Sequence, residues 1–310
     1  MNRADRVAVT SRSFSRNPVL RKELMERYAQ VTFNDAGLQL DGRQLIDFLR
    51  GHDKAITALE RIDEIVLAQL PELKVIAKYG VGIDMIDLDA MRRHGKQLGW
   101  TGGVNRRSVS ELVIAFSIAL LRHVPMANLE VRTGTWRQHV GNQLSGKTIG
   151  VIGCGHIGKD LVRLLQAFEC PILAHDIRNY ADFYRECGVE AVTLEELLRR
   201  SDVVTLHVPL DGSTRNLLTA ERLALMRPTA ILINAARGGM VDEAALKSAL
   251  EDKRLAAAAF DVFAQEPPQD QGLLTLPNFL ATPHIGGSAV EAILAMGRAA
   301  IDGLDAHEPP

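Results

Sequence analysis

The sequence predicts an α/β protein with two domains, and three observations lead to that prediction. Short β-branched or apolar runs alternate with longer amphipathic segments along nearly the whole chain, which is typical of βα units and parallel sheets. The length of 310 residues exceeds that of a usual single domain, so two cores are expected. A hydrophobic content of 46% and a charged content of 24% are ordinary for globular proteins, which argues against extended disorder.

The first part of the chain contains four runs with strand character, separated by amphipathic segments. This count predicts a three-layer α/β domain of modest size. Ser108 and Glu111 then have the spacing of a capping box before a wide apolar face, so a long helix is predicted to begin near Ser108. Such a helix could cross between the domains. The four strand-like runs lie at 6–10, 30–33, 54–58 and 73–77.

A turn at Ser145-Gly146-Lys147 opens a second α/β series with six strand-like runs. A last helix is predicted to start with a capping box from Ser288 to Glu291 and to run towards residue 304. The six runs lie at 148–152, 171–175, 203–208, 230–234, 256–260 and 279–281.

The segment 148–158 carries a glycine pattern, G-x-G-x-x-G, between a β-branched strand and an amphipathic helix. Gly153 permits a tight turn, Gly155 lets the backbone approach a pyrophosphate, and Gly158 allows the helix to pack closely on the strand. The helix amino terminus then offers free N–H groups to the phosphates. This context predicts a Rossmann-type doubly wound parallel sheet that binds a dinucleotide.

An acidic residue at the end of the next strand strengthens that prediction. Asp176 follows Gly158 by 176 − 158 = 18 residues, close to the offset of the carboxylate that holds the adenosine ribose. Because a carboxylate repels a 2′-phosphate, NAD is favoured over NADP as the cofactor. Arg178 keeps NADP open as an alternative, since a nearby arginine can accept that phosphate.

Polar residues follow several predicted strands, where open α/β sheets bind their ligands. Arg237, Glu266 and His284 together fit the reduction of a 2-oxo acid. The arginine can hold a carboxylate, the histidine can exchange a proton, and the glutamate can orient the imidazole. Each residue has a plainer alternative: a helix cap for Arg237, a solvated turn for Glu266, and a hydrogen-bonded structural histidine for His284.

Charge and cysteine content exclude several other classes of protein. A net charge of −2 without a basic stripe argues against nucleic acid as a partner. The three cysteines have neither an even framework nor a metal-ligand spacing, so no metal is predicted and a reducing compartment is expected. Residues 6–10 form a first strand instead of a signal core, and the apolar stretch 112–121 is too short for a membrane span. We therefore expect a cytoplasmic protein with no membrane partner.

Along nearly its whole length the chain resembles the D-isomer-specific 2-hydroxyacid dehydrogenases, in particular phosphoglycerate dehydrogenases and hydroxypyruvate reductases. Eight separate motifs carry this resemblance, and together they are highly specific. They are Lys78-Tyr-Gly-Val-Gly-Ile-Asp84, Asn105 with Ser-Val-Ser-Glu111, the loop 153–158, His207-Val-Pro209, Asn234-Ala-Ala-Arg-Gly238, Phe260-Asp-Val-Phe263, Glu266-Pro267 and Pro283-His-Ile-Gly-Gly287.

The resemblance implies roles for individual residues. Arg237, Glu266 and His284 would be catalytic. The amides around Val81 and Gly82 would hold the substrate carboxylate. By position, Lys78 beside Tyr79 would reach a substrate phosphate or a second oxyanion. Asp261 would bind the nicotinamide carboxamide, and the remaining cofactor-binding residues would be His156, Ile157, His207, Val208, Pro209, Ala235, Ala236 and Gly286.

The resemblance also implies an architecture. Residues 1–100 with 286–310 would form a smaller flavodoxin-like substrate domain, and 101–285 would form the NAD-binding domain. A homodimer through the NAD-binding domain is expected, and Trp136 is either an interface residue or an anchor in the core. Because the chain ends at residue 310, feedback through an added regulatory domain is not expected.

The predicted activity is hydride transfer between NAD(H) and a small D-2-hydroxy acid or 2-oxo acid, such as 3-phosphoglycerate or glycerate and hydroxypyruvate. Two alternatives stay open. One is a phosphite dehydrogenase, because relatives with that activity share the scaffold. The other is an NAD(H)-sensing protein like the corepressors that share the fold, although a sensor has no chemical need for Arg237, Glu266 and His284 together.

Overall fold

A computed structural model describes residues 3–310 and divides the chain into two compact units. The first unit extends to Asn105 and resumes at Ala289–Pro310, and the second unit is Arg106–Ser288. The family resemblance implies domain boundaries at 100/101 and 285/286. Residues 1 and 2, which that prediction included, lie outside the described residues.

The first unit contains a five-stranded parallel sheet in the order β2-β1-β3-β4-β5. This is the flavodoxin-like order, in which the ligand crevice lies at the carboxyl ends of β1 and β3. β3 and β4 are buried along their whole length, so the sheet is covered on both faces. The strands are β1 (Arg3–Val9), β2 (Tyr28–Phe33), β3 (Lys54–Thr57), β4 (Val75–Lys78) and β5 (Gln97–Gly99).

Helices of the first unit form one apolar core on each face of this sheet. Leu45, Leu67 and Met91 lie in one core, and Phe14 and Leu24 lie in the other. The helices are α1 (Arg12–Arg16), α2 (Pro18–Arg27), α3 (Gly42–Leu49), α4 (Glu64–Ala68) and α5 (Leu88–Arg93), and the unit's last helix, α14, is Val290–Gly303.

The second unit contains a seven-stranded parallel sheet in the order β12-β11-β10-β9-β6-β7-β8. The chain reverses its direction of travel across the sheet between β6 and β9, which creates a topological switch point there. This doubly wound arrangement confirms the predicted fold class. The strands are β6 (Ile149–Ile152), β7 (Ile172–His175), β8 (Val189–Ala191), β9 (Val203–Leu206), β10 (Ile231–Asn234), β11 (Ala257–Phe260) and β12 (Phe279–Ala281).

Two apolar cores also cover the second sheet. The core that contains α6 and α8 includes Phe116 and Leu161, and the opposite core includes Leu197 and Leu246. The helices are α6 (Arg106–Leu121), α7 (Val124–Arg132), α8 (His156–Leu165), α9 (Ala181–Cys187), α10 (Leu194–Arg200), α11 (Ala220–Leu223), α12 (Glu243–Glu251) and α13 (Gln271–Leu274), with a short 3₁₀ turn at Gln166–Phe168.

Both predicted capping boxes at the ends of the second unit are wrong. α6 begins at Arg106, so Ser108 lies inside its first turn, and the Ser108 hydroxyl donates to the Gly286 carbonyl instead (2.6 Å). α14 begins one residue after Ala289, which makes no side-chain cap, so Ser288 stands outside the helix. In both places a nearby serine has the capping spacing, but the chain enters the helix at another residue.

No single helix within residues 3–310 is long and apolar enough to cross a membrane. One bent pair, α6 with α7 at 63°, has sufficient length and apolar composition when the two helices are taken together. Seven residues of α6 are buried in the second unit, as expected for a core helix.

Candidate active site

The glycine loop joins β6 to α8 and leaves backbone amides available to a ligand. Gly153 has φ +93°, and a Cβ there would lie 2.8 Å from the His207 carbonyl carbon. A Cβ on Gly158 would lie 2.3 Å from the Gly153 carbonyl oxygen, whereas Gly155 faces open space. α8 begins directly after Gly155, which cannot cap it with a side chain. Its first N–H groups therefore suit a pyrophosphate, as the sequence predicts.

Asp176 follows β7 and is fixed against the glycine loop. Its Oδ2 accepts a hydrogen bond from the Cys154 amide (2.6 Å), and its Oδ1 accepts one from the Arg178 amide (2.8 Å). Two backbone donors thus orient a carboxylate beside the loop, where ribose hydroxyls would be recognised. The next side chain, Ile177, is 98% exposed. The site therefore fits NAD better than NADP, because the carboxylate of Asp176 opposes the added 2′-phosphate of NADP.

His207 lies at the switch point, just after β9. Its Nε2 makes a hydrogen bond with the Thr205 hydroxyl (3.0 Å), and its Nδ1 is buried without a partner among residues 3–310. Burial lowers the pKa of His207 to about 3, so the ring is neutral at physiological pH. Val208 packs against Gly153, and Pro209 is exposed. An orphaned ring nitrogen beside the glycine loop is consistent with a polar ligand at this place.

The loop after β10 carries Arg237 on a turn built by Asn234. The Asn234 side chain accepts a hydrogen bond from the Ala236 amide (3.1 Å) and donates one to the Arg237 carbonyl (2.8 Å). Ala235 and Ala236 are buried, while Arg237 is partly exposed and its guanidinium donates to the Ala236 carbonyl (2.7 Å). The asparagine thereby sets the backbone from which the arginine extends.

His284 and Glu266 form a direct pair. The distance from His284 Nδ1 to Glu266 Oε2 is 2.9 Å, and Glu266 Oε1 accepts a hydrogen bond from the Phe263 amide (3.1 Å). Both side chains are partly exposed, at 49% for the histidine and 40% for the glutamate. With Nδ1 held by a carboxylate, Nε2 is left to exchange a proton with a substrate.

The three predicted catalytic residues follow adjacent strands. β10, β11 and β12 are neighbours in register, with Asn234 opposite Phe260 and Phe260 opposite Ala281. The loop after β10 also meets the loop after β11 closely, since a Cβ on Gly238 would lie 1.8 Å from the Phe263 carbonyl oxygen. The structure therefore brings the loops of Arg237, Glu266 and His284 to one edge of the second sheet.

Asp261 and Gly286 also belong to this edge. Asp261 is only 1% exposed, and both of its carboxylate oxygens accept hydrogen bonds from the segment 282–286. Gly286 is buried against that carboxylate, where a Cβ would lie 3.0 Å from Asp261 Oδ2. The contact of Asp261 with a nicotinamide carboxamide stays a prediction.

The predicted substrate-binding residues lie in the first unit, at the carboxyl end of β4. Lys78 is 5% exposed and its Nζ donates to the Ala58 carbonyl. Tyr79 is 7% exposed, and burial raises the pKa of its hydroxyl. Val81 and Gly82 follow on a partly exposed loop, and the Val81 carbonyl accepts a hydrogen bond from Trp100 (3.0 Å).

Sequence reasoning missed a hydroxyl-rich segment after β1. Ser11 and Ser13 lie at the carboxyl end of that strand, beside the β1/β3 crevice of the first sheet. Their hydroxyls are 3.3 Å apart, and Ser13 also hydrogen-bonds the Tyr79 hydroxyl. The signal was present as Thr10-Ser-Arg-Ser directly behind the first strand, a position that lines ligands in open α/β sheets.

The cysteines and acidic residues form no second chemical centre within the described chain. All three cysteines are free, and burial raises the pKa of Cys154 to about 11. A thiol that stays protonated is a poor nucleophile. Residues 3–310 also contain no group of three or more histidines, cysteines and acids arranged to hold a metal ion.

A doubly wound sheet with a dinucleotide loop and an Arg–Glu–His set at its strand ends defines the class of nicotinamide-dependent dehydrogenases. Comparison with known proteins narrows this class. Residues 114–286 match the family model described as D-isomer specific 2-hydroxyacid dehydrogenase, NAD binding domain. The chain belongs to this family, and the predicted resemblance is confirmed.

Relatives within the family carry several names. The chain is 40% identical over 240 residues to a D-3-phosphoglycerate dehydrogenase of Methanocaldococcus jannaschii, covering 76% of this chain and 46% of that protein. It is 36% identical over 283 residues to a glyoxylate reductase of Pyrococcus furiosus, covering 88% of this chain and 84% of that one. The chain thus spans about half the length of the phosphoglycerate dehydrogenase.

Solved structures agree with the family assignment. A D-lactate dehydrogenase from Aquifex aeolicus, crystallised with NAD and lactic acid, superposes with a TM-score of 0.83 at 26% identity. The match covers 96% of this chain and 93% of that one. The two-domain fold is therefore shared along nearly the whole chain.

Proposed function

We propose that the protein is an NAD-dependent D-2-hydroxyacid dehydrogenase that interconverts a small 2-oxo acid and its D-2-hydroxy acid. The observation that carries this proposal is the His284–Glu266 pair, 2.9 Å apart at the strand edge that also bears Arg237. This set occurs in a sheet of the NAD-binding domain family. It contains an acid–base group, its orienting carboxylate and a cation for the substrate.

Each catalytic side chain has a defined task. When bound, NADH supplies the hydride that adds to C2 of the oxo acid. Arg237 binds the substrate carboxylate through its planar fork and polarises the carbonyl. His284 donates the proton on Nε2 to the carbonyl oxygen during reduction and accepts it back during oxidation. Glu266 holds Nδ1, keeps the ring oriented and stabilises the imidazolium.

The cofactor would be held mainly by backbone groups. The amides at the start of α8, including His156 and Ile157, would bind the pyrophosphate, and Asp176 would bind the adenosine ribose. His207 to Pro209, together with Ala235 and Ala236, would line the remainder of the cofactor along the strand ends. Support comes from the open backbone at Gly155 and from the two amides that fix Asp176.

Further substrate-binding residues are proposed in the first unit. The amides of Val81 and Gly82 would meet the carboxylate, and Lys78 would contact a phosphate or second oxyanion after leaving its present partner, the Ala58 carbonyl. Lys78→Met keeps the length of the side chain but removes its charge. This variant tests the proposed contact of Lys78 with a phosphate or second oxyanion. An unchanged KM for a phosphorylated substrate would remove Lys78 from that role.

The testing experiment follows NADH oxidation with pyruvate, glyoxylate, hydroxypyruvate, phosphohydroxypyruvate and branched 2-oxo acids. Turnover of one member with a D-configured product is expected. NADH binding without turnover of any member would overturn the proposal and favour an NAD(H) sensor. Oxidation of phosphite with NAD, in the absence of turnover on the panel, would instead indicate a phosphite dehydrogenase.

We also propose a cytoplasmic homodimer formed through α7 and the segment after it. α7 buries none of its residues, and Leu129, Trp136 and Val140 are 61%, 86% and 95% exposed. Apolar exposure of this kind is typical of an interface, and three free cysteines fit a reducing compartment. Sedimentation should give a dimer for the wild type and a shift towards monomer for Trp136→Ala. A monomeric wild type would contradict the proposal.

A further inference from the structure

His284 has a backbone conformation that histidine rarely adopts. Its φ is +55°, in the left-handed region, where a side chain other than that of glycine is disfavoured. Such conformations persist only where the surrounding structure determines them, and they occur mainly at functional sites. The structure must therefore contain groups that hold this turn in place.

Asp261 supplies most of the holding contacts. Its Oδ1 accepts hydrogen bonds from the Thr282 hydroxyl (2.6 Å) and the Ile285 amide (2.7 Å). Its Oδ2 accepts one from the Gly286 amide (2.7 Å), and its backbone carbonyl accepts one from the His284 amide (2.9 Å). One buried residue thus binds the chain before, at and after the catalytic histidine. Hydrogen bonds to a charged carboxylate are stronger than neutral ones.

Ser108 closes the turn from the other side. Its hydroxyl, in the first turn of α6, donates to the Gly286 carbonyl (2.6 Å), while the Gly286 amide donates to Asp261. Gly286 cannot carry a side chain here without crowding Asp261, as its virtual Cβ lies 3.0 Å from Oδ2. The segment is therefore held between a core helix and a buried carboxylate.

We propose that Asp261, Thr282 and Ser108 are positioning residues that hold His284 in its left-handed turn, so that Nδ1 faces Glu266 and Nε2 faces the substrate. This inference rests on the proposed function and adds to it, because the resemblance assigned Asp261 to the cofactor, Ser108 was predicted to cap a helix, and Thr282 had no predicted role. The three residues act through the backbone of 284–286. A misplacement of about 1 Å in a catalytic group can cost roughly 100-fold in rate.

The two possible roles of Asp261, cofactor binding and positioning of His284, predict different experimental results. If the carboxylate mainly binds the carboxamide of the cofactor, its loss weakens NADH binding. If it mainly positions His284, its loss lowers kcat while NADH affinity is kept. Thr282 separates the accounts most cleanly, because its hydroxyl bonds only to Asp261 among the described contacts.

The experiment compares Thr282→Val with Thr282→Ser. Valine keeps the shape and removes the hydroxyl, and serine restores the hydroxyl. We expect Thr282→Val to lower kcat by about 10- to 100-fold with an unchanged Kd for NADH, and Thr282→Ser to recover most of the loss. The kcat values are calculated per NADH-binding site, so that unfolded protein does not lower the measured rate. Thr275→Val is the matched control, since it loses a similar hydroxyl bond at α13, to the Gln271 carbonyl (2.7 Å).

A second readout keeps the test independent of turnover. In ¹H–¹⁵N spectra of the histidine side chains, the Nδ1 proton shared with Glu266 should be visible in the wild type and weakened in Thr282→Val and Ser108→Ala. The spectra therefore test the positioning role even if the wild type reduces no 2-oxo acid. A normal kcat and an unchanged spectrum in Thr282→Val would overturn the inference, as would a loss in NADH affinity that matches the loss in rate.

Discussion

The proposed cofactor-binding and catalytic residues of the second unit lie at one edge of its sheet, but the two halves of this edge are built in different ways. On the side of β6 and β7, the residues 153–158 form one continuous segment, a turn followed by the start of α8, and its backbone at Gly155 is open to a ligand. On the side of β10, β11 and β12, Arg237, Glu266 and His284 extend from three separate loops. The first half depends on glycines, which have no side chain. The second half depends on the identity of three side chains.

The two halves also differ in what holds them. The glycine loop is shaped by local backbone geometry, such as φ +93° at Gly153. The loops of the proposed catalytic residues are held by two buried polar residues, Asn234 and Asp261, both at most 1% exposed. Buried polar groups of this kind must be fully hydrogen-bonded, which ties each loop to one conformation. Cofactor binding and catalysis should therefore be separable by mutation.

The largest difference between the effect on kcat and the effect on NADH binding is expected for His284→Ala. General acid catalysis contributes roughly 100- to 10,000-fold, so kcat should fall by that factor while NADH binding survives. Steady-state kinetics and NADH titration measure the two quantities. His94→Ala is the control, because it removes another histidine–glutamate pair (2.6 Å, to Glu64) that lies in the first unit. A nearly normal kcat in His284→Ala would exclude the histidine as the acid.

The opposite pattern is expected for Asp176→Ala. Loss of hydrogen bonds from a charged group costs about 1.5–3 kcal/mol, which corresponds to an increase of roughly 10- to 100-fold in the Kd for NADH. The kcat at saturating NADH should change little, and NADPH should gain relative to NADH. Asp182→Ala, at an exposed carboxylate on α9, serves as control. Equal loss of NADH and NADPH affinity would contradict a ribose-binding role.

A smaller effect is expected for Glu266→Gln. The amide can still hold the imidazole, but the charge is lost, and a charge-assisted hydrogen bond is about twice as strong as a neutral one. We expect kcat for reduction to fall by roughly 10-fold. Steady-state kinetics measure the change, and a kcat equal to that of the wild type would argue against a role for the charge of Glu266.

The last effect concerns the stability of the fold at low pH instead of activity, and it involves His207. Burial lowers its pKa from 6.5 to about 3, so the folded state binds fewer protons than the unfolded state between these values. The free energy of unfolding should therefore be unaffected by this group above pH 6.5 and should decrease as the pH falls towards 3. In His207→Asn this part of the decrease should disappear. Urea unfolding at several pH values measures it, and parallel curves for the two proteins would refute it.

Local sequence was sufficient to predict most of the strands and the glycine loop. All ten predicted strands are present, because short apolar runs with period-two or continuous burial depend little on distant residues. The loop 153–158 and Asp176 were also predictable, since their spacing is a property of one βαβ unit. The short strands β5 and β8 escaped notice, because three residues at a sheet edge carry little pattern.

Tertiary structure decided how the strands and loops are arranged. Neither the order of the strands nor the partners of Asp261 could be inferred, because both depend on contacts between residues far apart in the chain. The same reason explains the error at Ser108, whose hydroxyl bonds to Gly286, 178 positions away, instead of capping its own helix. Spacing within one segment specifies local backbone, whereas a buried polar contact depends on which segments the packed core brings together.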